Sequence, residues 1–189
     1  TFFEEHVWNT NWKVLAENFM EPYHHMGSHA KTLETMMPAK GCWTEPPEDH
    51  WTAVHLPIKE DLLAANDRGR GLCRFTPFPG LAEDDYTQWW VFLGYPNFLL
   101  FVAPDRVYWY RPIPTGPGTC DLRTTMLVHR SAKDAPDFEA MRKQESDMLI
   151  DVHNEDVEAC TGVQRGVAST AWKPGRLSHL EEPVWHIQQ

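Results

Sequence analysis

Apolar residues recur at helical spacing near the start of the chain. Trp12, Leu15, Ala16, Phe19 and Met20 share one face, and residues 1–37 are predicted to be mostly helical. Pro22 lacks a backbone donor and disrupts a helix interior, so the helix should bend, end or restart just before His24 and His25. The period then changes, and residues 38–133 read as mainly β. Trp51–Leu56, Gln88–Leu93, Phe98–Val102, Val107–Tyr110 and Cys120–Val128 are strand-like runs. Turn signals at Tyr95-Pro-Asn97, Ala103-Pro-Asp105 and Pro112–Gly118 separate them at intervals suited to an antiparallel meander. Residues 60–85, with Gly69, Gly71, Pro77, Pro79 and Gly80, read as a long loop or short helix that crosses the sheet and walls a pocket. Residues 136–170 return to helix, capped by Asp137 and striped by Phe138, Met141, Met148, Leu149, Val152, Val157 and Cys160. The tail from Lys173 to Gln189 reads as irregular. This order predicts a single α+β domain over residues 1–189, a curved antiparallel sheet wrapped around a long C-terminal helix.

Composition narrows the function classes. The 189 residues are 42% hydrophobic and include nine Trp and nine Phe, anchors that disordered chains lack. A net charge of −10 argues against nucleic acid and against an anionic membrane surface. The most apolar run, Val91–Ala103, carries Pro96 and Asn97 at its middle, so it reads as strands and a turn and not as a membrane span. The opening Thr-Phe-Phe-Glu-Glu has no signal-peptide character, and the absent initiator Met points to a processed chain or an excised fragment. Cys42, Cys73, Cys120 and Cys160 match neither a zinc ribbon nor a dense disulfide framework, so reduced thiols in a cytoplasmic protein are expected.

Two clusters could carry chemistry. In Glu21-Pro-Tyr-His24-His25-Met-Gly-Ser-His29, His25 and His29 are i,i+4 and share a helix face. His24 and His29 are i,i+5, about 140° apart on an ideal helix, and could converge only through the break that Pro22 and Gly27 permit. Imidazoles are common metal ligands, and one carboxylate would complete a facial triad; the plain alternative is histidines that hydrogen-bond at a helix end. In Asp151-Val-His-Asn-Glu155-Asp156-Val-Glu158, Asp156 shares a face with Val152, while Glu155 and Glu158 are read as facing solvent. An acidic helix is usually a solvated face, but an acid on the apolar side needs a partner such as a cation.

The pattern Asn11-Trp12-Lys13, Glu17-Asn18-Phe19, Glu21, Tyr23-His24 and His29 resembles the iron-binding signature of Rieske non-haem iron oxygenases. It is closest to the catalytic domain of the α subunit of aromatic-ring-hydroxylating dioxygenases. Glu155-Asp156-Val157 followed by Val163-Gln164-Arg165-Gly166 resembles the segment that carries the third ligand. The resemblance implies a helix-grip (START-like) fold in which His24, His29 and Asp156 hold Fe(II), with positions left open for O2 beside a substrate. It implies that Glu21 links the iron to a neighbouring subunit's [2Fe–2S] cluster, that Asn18 lies near the iron, and that Tyr23 has a positional role. No Cys-x-His or Cys-x-x-His occurs, so the cluster would come from a separate or missing Rieske domain, fed by a reductase or ferredoxin. The complete enzyme would be a homotrimer, and this chain alone would bind iron without sustained turnover.

The expected substrate is aromatic or small and apolar, walled by Trp90, Phe92, Phe101 and Asn154. Alternatively Trp89, Trp90, Trp109 and Tyr110 form a cation–π cage for a quaternary ammonium compound. Two other classes are a non-catalytic carrier of hydrophobic ligands on the same scaffold, and a zinc hydrolase with Glu21 as general base. The second lacks any His-Glu-x-x-His pattern to back it.

Overall fold

A computed structural model describes residues 2–46, 48–64 and 72–189, with side chains from residue 5 onward. Seven strands form one antiparallel sheet: β1 (Phe2–Trp8), β2 (Trp43–Thr44), β3 (Trp51–Pro57), β4 (Gln88–Gly94), β5 (Phe98–Ala103), β6 (Arg106–Gly116) and β7 (Thr119–Val128). Their spatial order is β1-β7-β6-β5-β4-β3-β2, a meander from β2 to β7 with the chain's first strand added at the far edge. The helices are α1 (Trp12–Met20), α2 (Leu33–Met36), α3 (Glu60–Ala64), α4 (Phe138–Val167) and α5 (Glu182–Ile187). The α+β layout with a long C-terminal helix is as expected.

Three expectations about elements are corrected. Residues 2–8 are strand and not helix: Trp8 and Cys120 pair across β1 and β7 on the buried face, and strand pairing overrides local preference. The tail is not irregular throughout. Ser178 accepts from Leu180 N, and Glu181 reaches back to Ser178 N, a capping box that starts a short turn leading into α5. Pro112 and Pro114 lie within β6, not in a turn. β5 pairs with β6 no further along than Tyr110. Pro112 O accepts from Asn97 Nδ2 at 3.3 Å on that vacated side, so its donor-less nitrogen faces away from β7 and costs the ladder nothing. Of the 60–85 segment, α3 is the expected short helix, while Gly69 and Gly71 lie outside the described residues.

Parity decides which side chains face the helices. Leu56↔Trp89, Val91↔Phe101, Phe101↔Tyr108 and Leu99↔Tyr110 are cross-strand pairs on one face, since directly opposed residues point the same way. α1 packs on β4 and β6 across this face, α4 lies along α1 and β1, and α5 covers β3. The other face carries its own aromatics: His55 lies between Trp43 and Trp90, with ring centroids at 3.6 and 3.9 Å, and Trp51 stacks on Phe92.

The 30-residue α4 is about 45 Å long at 1.5 Å per residue. Asp137 occupies its N-cap position but makes no capping hydrogen bond, contrary to expectation. Its buried stripe includes Glu145 and His153 beside Leu149, Val152 and Cys160. Glu145 has no exposed surface. It accepts from Arg106 Nε at 2.8 Å and from the Tyr108 hydroxyl, and Arg74 Nε lies 2.8 Å away. Asp105 completes the network, accepting from Arg106 at 2.6 Å and from the backbone of Arg74 and Phe75. Two buried acids thus neutralise two arginines and pin α4 to β6. Among the described residues no helix is long and apolar enough to cross a membrane.

Candidate metal centre and its pocket

Asn11 starts α1 by accepting from Lys13 N at 2.9 Å. Its own N donates to Gln164 Oε1 at 2.7 Å and its Nδ2 to Pro117 O at 2.8 Å, so the helix is clamped to α4 and to the β6–β7 turn. α1 ends at Met20, Glu21 is extended, and after Pro22 the chain tightens into a 3-10 turn over Tyr23–Met26. This break brings His24 and His29, rather than His25, together with Asp156. His24 Nε2 and His29 Nε2 lie 3.4 and 3.0 Å from Asp156 Oδ1, and one ligand atom from each residue falls within 4.8 Å of the others. His25, one residue on in the tight turn, points elsewhere and meets Met37 O at 3.3 Å.

Each converging side chain has a further hydrogen-bond partner. Glu21 Oε1 lies 2.7 Å from His24 Nδ1, and its other oxygen accepts from His24 N. Glu155 Oε2 lies 2.7 Å from His29 Nδ1, and Asn18 Nδ2 donates to Asp156 Oδ1 at 2.8 Å. The inward role of Glu155 corrects its assignment to solvent. The helical wheel places it about 100° from Asp156, but the His29 ring reaches across both.

The electrostatics follow from these contacts. Burial opposes charge on His24, but Asp156 and Glu21 outweigh it and hold the imidazole up at about 10. Burial alone would raise the Asp156 carboxyl, yet the two histidines bring it well below the ordinary range. Burial, reinforced by repulsion from His24 and His29, lowers His25 to about 3. The donor set fits a divalent cation: two imidazoles with Nε2 inward, each Nδ1 beside a carboxylate that fixes the tautomer, and one carboxylate between them.

A pocket opens from this cluster toward the sheet. Asn18, Glu21, His24, His29 and Asp156 line one end; Phe19, Trp89, Phe101, Tyr108 and Tyr110 form its aromatic wall, with Leu149, Val152 and His153 of α4 opposite. Trp89 and Phe101 meet edge-to-face at 5.4 Å, and Phe19 tilts against Tyr110 at 4.9 Å. Of the wall residues expected first only Phe101 lines the pocket, while Trp89 and Tyr110 of the alternative cage both do. Trp90 and Phe92 lie on the opposite sheet face, Trp109 packs there with Phe98, and Asn154 is exposed on α4. Tyr108, which was not expected in the wall from the sequence, completes it beside Trp89 and Tyr110. Gln88-Trp-Trp-Val-Phe-Leu93 is apolar at both parities and gives no signal of which set faces inward.

A family model described as the ring hydroxylating alpha subunit (catalytic domain) matches residues 4–189. Choline monooxygenase of Arabidopsis thaliana is 26% identical over 97% of this chain and 39% of its own length. The glycine betaine monooxygenase oxygenase subunit of Chromohalobacter salexigens is 26% identical over 93% of this chain and 45% of its own. The chain therefore spans less than half the length of these relatives. Among solved structures, a quaternary ammonium Rieske monooxygenase described for carnitine oxidation and inter-subunit electron transfer superposes with a TM-score of 0.65. It is 16% identical and covers 100% of this chain and 49% of that one. Dicamba monooxygenase bound to dicamba gives 0.64 at 15% identity, covering 99% and 56%.

Proposed function

The chain belongs to the ring-hydroxylating α-subunit family, within its catalytic domain, and from that premise we propose that it is the iron-binding domain of a Rieske-type oxygenase. The carrying observation is the convergence of His24, His29 and Asp156 at one end of an apolar pocket. When bound, Fe(II) supplies O2 activation at coordination positions that a two-histidine, one-carboxylate set leaves open.

The chain's own residues prepare that chemistry. Glu21 and Glu155 keep a proton on each Nδ1, which leaves the Nε2 lone pairs free for the metal. Asn18 restrains the Asp156 carboxylate, and the aromatic wall excludes water and orients substrate. A [2Fe–2S] cluster in the Rieske domain of a neighbouring subunit would supply electrons, and Glu21 would be the residue that bridges toward it from His24. The complete assembly would be a homotrimer fed by a reductase or ferredoxin.

For the substrate we favour a small quaternary ammonium compound. Among the described residues no Lys or Arg lines the pocket, while its aromatic faces and acids suit a cation. Glu21, Glu155 and Asp156 carry three negative charges around the site. A divalent ion cancels two, and a cationic substrate would balance the third. Two relatives are named for choline and glycine betaine, in line with this reading. An aromatic substrate, the first expectation from the sequence, fits the same wall by apolar packing alone.

The test is anaerobic loading with Fe(II), followed by calorimetry with choline and its neutral carbon isostere 3,3-dimethylbutan-1-ol. About one iron per chain is expected, lost in Asp156→Ala, with choline the tighter ligand. Equal affinities would return the substrate to the aromatic class, and no iron would overturn the oxygenase reading.

A further inference from the structure

Glu155 is the one buried-side acid at the centre that the resemblance to the family did not assign. Its Oε2 lies 2.7 Å from His29 Nδ1 and accepts from Thr32 Oγ1 at 2.6 Å. His29 is 1% exposed, and its ring spans two consecutive residues of α4, with Nδ1 on Glu155 and Nε2 on Asp156. Thr32 follows His29 closely in the same irregular turn, and Thr32 N donates to His29 O at 3.1 Å. The hydrogen bonds therefore close a ring: His29 to Glu155, Glu155 to Thr32, and Thr32 through the backbone to His29.

Such a ring solves a specific problem. An imidazole at the edge of a loop can rotate about its side-chain bonds, and as a neutral ring it can carry its proton on either nitrogen. Only one combination of rotamer and tautomer presents a lone pair at Nε2 toward Asp156 and His24. Glu155 selects the tautomer by accepting at Nδ1. The Thr32 hydroxyl fixes the carboxylate, because a carboxylate with a second donor on the same oxygen cannot swing away freely. His24 receives equivalent support from Glu21, but through a residue only three positions earlier. The support of His29 crosses between the loop and α4, so it also fixes the distance between the histidine segment and the helix that carries Asp156.

We infer that Glu155, seconded by Thr32, is a positioning residue that holds His29 in its metal-binding tautomer and orientation; this rests on the assignment of His29 as a ligand. Glu155 is half-buried, at 29% exposed, so its removal is tolerable to the fold.

The experiment measures the Fe(II) dissociation constant of the purified chain under anaerobic conditions, by competition with a chromogenic chelator. Co(II) absorption spectra report ligand geometry independently of any activity. Glu155→Ala should weaken Fe(II) binding about 10–100-fold and alter the Co(II) spectrum, as loss of an outer-shell partner of a metal histidine does. Glu155→Gln, which keeps an acceptor for Nδ1–H, should recover most of that loss. Thr32→Val should weaken binding in the same direction by less, and Glu158→Ala, exposed on the same helix, should bind as the parent does. Circular dichroism of each variant separates misfolding from loss of positioning. Parent-like affinity and Co(II) spectrum in Glu155→Ala would overturn the inference while leaving the triad intact. Failure of the parent chain itself to bind iron would overturn both.

Discussion

Glu145→Ala is the sharpest test of how the long helix is held. The parent carboxylate is fully buried and serves Arg106 Nε, the Tyr108 hydroxyl and Arg74 Nε. Its removal leaves two arginines against Asp105 alone. Arg74 is 38% exposed and can turn its charge to water, but Arg106 is 1% exposed and cannot. Breaking a buried pair costs about 3–5 kcal/mol. The surviving 2.6 Å contact of Arg106 with Asp105 pulls the value toward the lower end. The orphaned Tyr108 hydroxyl adds about 1–3 kcal/mol, which pushes it back. A net loss of about 3–5 kcal/mol corresponds to a fall in Tm of roughly 6–20 °C for a domain of this size. Thermal unfolding by circular dichroism and urea midpoints at pH 7 measure it. The double variant Arg106→Met/Glu145→Leu removes both charges, while Asp105 keeps its two backbone donors. It strips the fully buried Asp105 of its Arg106 partner, which the single variant keeps, and should therefore be less stable than the single variant. A single variant within about 1 kcal/mol of the parent, or a double variant more stable than the single one, would refute the description of these groups as a neutralised buried network.

Two further outcomes are expected. Burial against Trp8, Tyr110 and His6 lowers the His153 imidazole to about 4. The unfolded chain then binds the extra proton first as pH falls below about 6.5, so stability drops between pH 6.5 and 4, by on the order of 3 kcal/mol from this group. His153→Phe should flatten that part of the urea-midpoint profile against pH, leaving the residual slope due to His25; an unchanged slope would show that His153 is not held neutral. Trp89→Leu should weaken choline binding about 10–30-fold, the value of a desolvated cation–π contact, while Trp90→Leu on the outer sheet face should leave it unchanged. Equal effects of the two would mean that the sheet parity described here does not govern the pocket.

The meander and the long helix were legible because turn residues and period changes mark them directly. The first strand was not, since Phe2–Trp8 carries Glu and His among its apolar positions and acquires its role only by pairing with β7. α5 had a readable cue in Ser178-x-x-Glu181, but a proline-bearing tail masked it. At the site, the choice of His24 over His25 depended on resemblance, because spacing alone permitted both pairs. The 3-10 turn after Pro22 supplies the physical reason. Glu155 was misplaced because a helical wheel records direction from the axis and ignores a bulky ring that bridges two positions. The pocket wall was shifted by one residue on β4 because both faces of the sheet are aromatic, so the hydrophobic pattern of the sequence could not choose between Trp89 and Trp90. In the fold Trp89 is buried and Trp90 only partly so.

α4 places Glu145, Leu149, Val152, Glu155 and Asp156 on one continuous rod, so these residues share a single phase. A residue inserted or deleted between Glu145 and Asp156 would turn the acids by about 100° relative to the anchor and carry them away from the histidines. Exchanges of side chain at 149 or 152 alter the pocket wall and its packing without changing that phase. Along this stretch the gene is therefore free to change spelling but not length. The pocket wall can change by point substitution alone, while the candidate metal ligands stay in register.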